Sequence, residues 1–194
     1  MPISKNSENI KKEVFALFDR AKELYGEKNE NCTFSTYKEE LLKFEKKNSV
    51  ELLPELKEWL SVFNLSESSQ IFTHTPILYG FKEMQESFNL GRDLYYRYGW
   101  IQKNWIPIAS DGCGNMYILG KIKPDIAETP VFFVDMISSA PEPDYVVASN
   151  LWYFLKFVFM QSIYEFSSPE KIFFWPLEDL DEVLKIDKSL KNYL

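Results

Sequence analysis

The sequence predicts an α+β domain. Apolar residues recur at helical spacing between Ile10 and Phe63. Short apolar runs punctuated by proline and glycine then occupy residues 75–135, and helical spacing returns after Ser149. Helices, then a run of strands, then helices is the order of an α+β fold rather than of a βαβ repeat. No low-complexity tract and no repeat of fixed period interrupts it.

Each element has its own signal. Ile10, Val14, Leu17, Ala21 and Leu24 are spaced as one face of an amphipathic helix, which Gly26 stops. Glu27 to Asn31 reads as a loop. A second helix follows Ser35 as its N-cap, with Tyr37, Leu41 and Phe44 on one face. The third begins at Pro54, a residue suited to a first helical position because it has no N–H to satisfy there. Leu56, Trp59, Leu60 and Phe63 form its buried side.

Thr75 to Gly80 reads as a short strand ending in a turn, and Phe81 to Tyr98 as a helix through Phe81, Met84 and Phe88. Trp105 to Ala109, Met116 to Ile122 and Val131 to Asp135 read as strands, with Asp111 to Asn115 as a turn and prolines 124 and 130 in a loop. After Pro141 and Pro143, either Ser149 or Asn150 caps a helix carrying Leu151, Phe154, Leu155 and Val158. Pro176 to Leu184 predicts one more short helix.

The chain has 194 residues, of which 45% are hydrophobic and 16% aromatic. That length suits one domain, or one domain with an appended terminal element. It buries roughly 70% of its unfolded surface, so neither disulfides nor a metal is needed to hold a core. The net charge is −7, with a pI of about 4.9. This argues against nucleic-acid binding, which draws on basic side chains to neutralise phosphates. One histidine and two cysteines exclude most zinc sites and every multi-histidine mechanism. Cys32 and Cys113 lie 81 positions apart with no CxxC, which favours reduced thiols in a cytoplasmic protein.

The N-terminus runs straight into charged residues without the apolar core of a signal peptide. Leu151 to Met160, broken by Lys156, is too short for a membrane span, which needs about 20 mostly apolar residues. Charge is uneven along the chain. Residues 121–194 hold 7 basic and 12 acidic side chains, while the two preceding sections are nearly balanced. Such an excess is either a solubilising face or a surface that steers basic partners.

Few residues offer chemistry. Any serine or cysteine triad would have to pass through the lone His74, which lies in Phe72 to Pro76 without a nucleophile-elbow pattern. A structural or surface histidine is the better reading. A reactive thiol needs a neighbouring cation or helix N-terminus. No basic residue falls between Trp105 and Gly120, so Cys113 reads as a small buried residue. The glycines at 112 and 114 fit neither phosphate-loop spacing, and Asp111 to Asn115 lacks the alternating oxygen ligands of a calcium loop. They suit a tight turn, where glycine supplies positive φ. Paired carboxylates such as Asp181 and Glu182 are too common here to mark a catalytic pair. Trp152, Tyr153, Phe154, Phe157 and Phe159 decorate several faces of one helix. That pattern suits a helix buried on most sides. The alternative is an aromatic side that emerges as a partner or homodimer surface.

Several segments, taken together, resemble a known family. Phe44-Glu45-Lys46-Lys47 precedes Leu53-Pro54-Glu55-Leu56-Lys57-Glu58-Trp59-Leu60 and Phe63-Asn64. Trp105-Ile106-Pro107-Ile108-Ala109-Ser110-Asp111-Gly112-Cys113-Gly114-Asn115 with Tyr117 follows, and then Val146 to Leu151 with Phe154-Leu155. In order and spacing this resembles the SUKH superfamily, in its Smi/Knr branch, over a core of residues 36–159. The stretch from Trp105 to Asn115 is its most specific part. The chain departs from the pattern at Asn64-Leu65, where many members have Asn-Gly. Residues 1–35 and 160–194 extend beyond the usual core as an N-terminal helix and a C-terminal helical extension of one domain.

The resemblance implies a curved, mainly antiparallel sheet flanked by helices, with no catalysis, no cofactor and no metal. Bacterial members are mostly immunity proteins that bind a cognate toxin and block it; fungal relatives are regulators and scaffolds of cell-wall synthesis and signalling. Within the motif, Trp105 becomes a core anchor, Asp111 and Asn115 hydrogen-bond the turn, and Gly112 and Gly114 permit its geometry. The leading expectation is a cytoplasmic immunity protein whose partner is a toxin protein rather than nucleic acid or membrane. Many toxin domains are basic nucleases, which an acidic inhibitor meets with complementary charge and a faster encounter. Asp135, Glu142 and Asp144 are the candidate toxin-facing charges, with Trp152 and Tyr153 as aromatic anchors. An intracellular regulator or scaffold is the alternative.

Overall fold

A computed structural model of the chain describes residues 5–24, 34–62, 76–136, 142–167 and 180–194. Among these, α1 spans Lys5–Leu24, α2 Phe34–Asn48 and α3 Pro54–Val62. Next come β1 at Ile77–Leu78, α4 at Phe81–Arg97, β2 at Ile106–Ser110, β3 at Met116–Leu119, β4 at Val131–Val134 and β5 at Tyr145–Ala148. Helices α5 (Leu151–Ser167) and α6 (Leu180–Ile186) follow, and a 3-10 helix at Lys188–Asn192 closes the chain.

The fold is α+β. Its sheet has five strands in the order β1-β2-β3-β4-β5, every neighbouring pair antiparallel. Antiparallel neighbours need none of the crossovers that parallel pairing demands, although β1 and β2 are joined through α4. Ile106, Pro107, Ile108 and Ala109 are buried in succession, so β2 is covered on both faces. Pro107 has no N–H to give to a ladder, and it sits at the register shift between β2 and β3.

Helix α5 is apolar on nearly every side, because it lies between the sheet and the other helices. Its Phe154 meets Tyr117 of β3 at 5.5 Å. Trp152 meets Phe15 of α1 at 6.2 Å, and Phe159 meets Phe18 at 5.2 Å and Trp59 of α3 at 5.9 Å. Burying a side chain of this size contributes roughly 1.5–3 kcal/mol. The α1 stripe runs through Ile10, Val14, Phe18 and Ala21, all buried, whereas Leu17 and Leu24 sit half-buried at its edge. Phe44 of α2 is edge-on to Phe81 and Phe88 of α4, at 5.9 and 5.2 Å. All of this apolar material forms one core.

Several boundaries differ from expectation. Helix α2 begins at Phe34, so Ser35 lies inside its first turn and is not the N-cap. The first strand is only Ile77–Leu78 because the Gly80 carbonyl already accepts the Met84 N–H, opening α4. Strand β3 ends at Leu119, where the Trp105 ring lies so close over Gly120 that a Cβ there would collide with it. Strand β5 is an addition: Val146, Val147 and Ala148 are all buried, and the strand is defined by its pairing with β4. The tail helix is observed at Leu180–Ile186 rather than ending at Leu184. Gly26, Phe63, His74 and Cys32 lie outside the described residues. No described helix is long and apolar enough to cross a membrane.

Candidate functional site

Two turns lie at the same end of the sheet, β2 to β3 and β4 to β5, because β3 and β4 pair with Met116 opposite Val134. The first turn is organised by Asp111. Its Oδ1 accepts the N–H groups of Cys113 (2.7 Å) and Asn115 (3.0 Å), and its Oδ2 accepts Asn115 Nδ2 at 2.7 Å. Gly112 and Gly114 carry φ of +75° and +105°, a region closed to most side chains. Asn115 Oδ1 in turn accepts the Met136 N–H at 3.0 Å, tying this turn to the end of β4. Cys113 is exposed, which corrects the expectation of a buried thiol. The aspartate hooks the backbone inward, and the side chain between the two glycines is left outside.

The second turn is organised by Asp144. Its Oδ2 accepts the Asp135 N–H at 2.7 Å, and its own N–H donates to the Phe133 carbonyl at 2.9 Å. Asp135 is half-buried and Asp144 exposed. Glu142 is 64% exposed and reaches Lys103, in the connection between α4 and β2, at 3.6 Å. The structure therefore joins Asp135 to Asp144 and gives Glu142 a different neighbour.

A row of rings crosses this end of the sheet. Tyr117, Phe133 and Tyr145 are cross-strand partners in β3, β4 and β5. Tyr117 and Phe133 meet edge-on at 5.3 Å, and Phe133 stacks on Tyr145 at 5.2 Å with 19° between planes. Tyr117 is buried, while Phe133 and Tyr145 are half-exposed. Burial raises the Tyr145 hydroxyl pKa, and the negative charges of Asp144 and Asp111 raise it further. The Tyr117 hydroxyl is raised by burial first, then by Tyr145 and Asp111. The row escapes a linear reading because each strand contributes one aromatic and only the register unites them.

The aromatic anchors expected at the surface are not there. Trp152 and Tyr153 are 6% and 7% exposed. The Lys11 Nζ lies 5.9 Å from the Trp152 ring, which α1 covers together with Phe15. Tyr153 lies in the first turn of α5, its N–H donating to Asn150 Oδ1 at 3.2 Å. Asn150 is thus the cap of α5. Trp105 is buried: its Nε1–H donates to the Lys121 carbonyl at 2.9 Å, Phe132 packs edge-on at 4.8 Å, and Lys103 Nζ sits 4.2 Å over the ring.

At the opposite end of the sheet the C-terminal segment is clasped. Asp187 is fully buried and accepts both the N–H and the hydroxyl of Ser149, each at 2.7 Å. Burial raises the Asp187 pKa, and the Ser149 hydrogen bonds oppose that shift. Glu128 is raised mainly by burial as well. The Tyr193 hydroxyl donates to the Glu128 carbonyl at 3.1 Å, and its pKa is pushed up to about 12 by burial and by the carboxylates of Glu128 and Asp187. Lys123 Nζ donates to the Asn192 carbonyl at 2.9 Å. No local pattern announces a contact between residues 38 apart in the chain.

Compared with known proteins, the chain matches the model of the SMI1 / KNR4 family (SUKH-1) over residues 36–156, more than half its length. No curated protein matches it significantly.

Proposed function

We propose that this chain, which belongs to the SMI1 / KNR4 family (SUKH-1), is a cytoplasmic immunity protein that binds a cognate toxin and blocks it without catalysis. Family membership carries the reading. The acidic turn holding Asp135 and Asp144, on a chain of net charge −7, supports a basic toxin such as a nuclease. An inhibitor of such an enzyme needs a rigid surface of opposite charge, which speeds encounter and suppresses wrong partners. Asp111 and Asp144 are held in this sense, the first carboxylate by two backbone N–H groups of its turn and the second by one.

The test is protection in cells. A toxin-like reading frame beside the gene for this chain is expressed alone and together with it. Growth arrest by the toxin alone, relieved by co-expression, with a complex of the two purified proteins, is the expected outcome. Continued arrest in the presence of the soluble, folded chain overturns the reading in favour of a regulator or scaffold of the cell-wall kind.

A further inference from the structure

We infer that the half-exposed Phe133–Tyr145 ledge, flanked by Asp144 and Asp111, is the seat for an arginine side chain presented by a basic protein partner. The inference deepens the immunity reading and rests on it for the partner's identity; the chemistry of the seat stands on the geometry.

Phe133 and Tyr145 stack across β4 and β5, 5.2 Å apart with 19° between their planes, so the aromatic face offered to a ligand is the outer face of Tyr145, on the strand at the end of the sheet order. Behind them Tyr117 is packed edge-on to Phe133 and against Phe154 of α5, so the row is anchored in the core and reaches the surface at Tyr145. An aromatic face attracts a cation through its quadrupole, and a guanidinium adds planar stacking.

Two carboxylates belong to the turns at this end of the sheet. Asp144 directly precedes Tyr145, is exposed, and is oriented by the Asp135 N–H on its Oδ2. Asp111 is oriented by the amides of Cys113 and Asn115. Burial raises the Tyr145 hydroxyl pKa most, and the negative charges of Asp144 and Asp111 add to it, in keeping with an acidic setting for that ring. A carboxylate beside an aromatic plane suits arginine best, since one guanidinium can stack and donate edge-on at once.

Among the described residues, the chain's own cations do not take the place: lysines lie over Phe15, Phe18, Trp105, Trp152 and Tyr193, but none lies over Phe133 or Tyr145.

The seat is tested by titrating the ¹⁵N-labelled full chain with N-acetyl-arginine amide, and with the neutral isostere N-acetyl-citrulline amide. Expected are saturating shifts of the Phe133, Asp144 and Tyr145 amides with the arginine probe and not with citrulline. Tyr145→Leu, which removes the ring, and Asp144→Asn, which keeps an acceptor for the Asp135 N–H, should each weaken probe binding by roughly threefold or more. Equal shifts with citrulline, shifts confined to other regions, or unchanged binding in Asp144→Asn overturn the seat. The partner is tested separately. Wild-type chain that binds no toxin overturns the immunity reading and leaves the probe result standing. Toxin binding indifferent to both substitutions overturns the ledge as docking point and leaves immunity standing.

Discussion

A side chain at position 112 would have to be held at φ +75° with its Cβ 3.3 Å from Ile77 Cδ1, and one at 114 at φ +105° with open space around it. Backbone strain of this kind amounts to about 1–3 kcal/mol per residue. Gly112→Val and Gly114→Val should each lower stability by about that much in denaturant unfolding. Gly112→Asn should be milder than Gly112→Val, because asparagine tolerates the left-handed region; equal losses would place the penalty in the Ile77 contact instead. The turn was legible at this scale, since Asp-Gly and Gly-Asn announce it. The outward thiol of Cys113 was not, because exposure depends on which way Asp111 draws the backbone.

Elements carry the next level of argument. Trp152 sits in the contact between α1 and α5, so its loss is a loss of packing. Trp152→Ala should destabilise the protein by about 3–5 kcal/mol. Where the variant remains folded, the dissociation rate of any partner should be unchanged; selective faster dissociation with normal stability would restore Trp152 to the surface. The C-terminal clasp predicts a pH effect. Asp187 is a carboxyl whose folded pKa is raised, so the native state binds more protons than the unfolded chain between the two values. Stability from this group therefore falls as pH rises from the ordinary aspartate value through the raised one. Asp187→Asn removes that titration, so the melting temperature of wild type relative to the variant should decline as pH rises through this window. A difference independent of pH would show that the Ser149 hydrogen bonds fully offset the burial.

At the scale of the whole molecule, the charge of −7 bears on encounter with a partner. Glu142 is exposed and holds no backbone group among the described residues; its ion-pair partner there is Lys103 at 3.6 Å, so it reports rim electrostatics with little cost to the fold. Asp144 does not, because reversing its charge would also break the Asp135 hydrogen bond. Glu142→Lys should slow association with a basic toxin, and the wild-type rate should fall as salt shortens the screening length, which is about 8 Å at physiological strength. The variant should show a flatter salt dependence. Association rates equal in both proteins and indifferent to salt would remove steering from the account.

The order of helices and strands was written in the sequence, because helical spacing, prolines and Asp-Gly turns act over a few residues. The same holds for the core positions of α3 and α4: Leu56, Trp59, Leu60, Met84 and Phe88 are all buried. Strand β5 carries an apolar run like that of β2 but leads straight into the Asn150 cap of α5, so only its pairing with β4 sets it apart as a strand. Sequence could not choose between Ser149 and Asn150 as the cap, for Ser149 is claimed by Asp187, far along the chain. The family motif from Trp105 to Asn115 was visible as residue types in a row. What only the tertiary structure decided is that Tyr117, Phe133 and Tyr145 form one row across three strands. Pairing register is a relation between strands distant in sequence, and it alone sets which side chains share a surface.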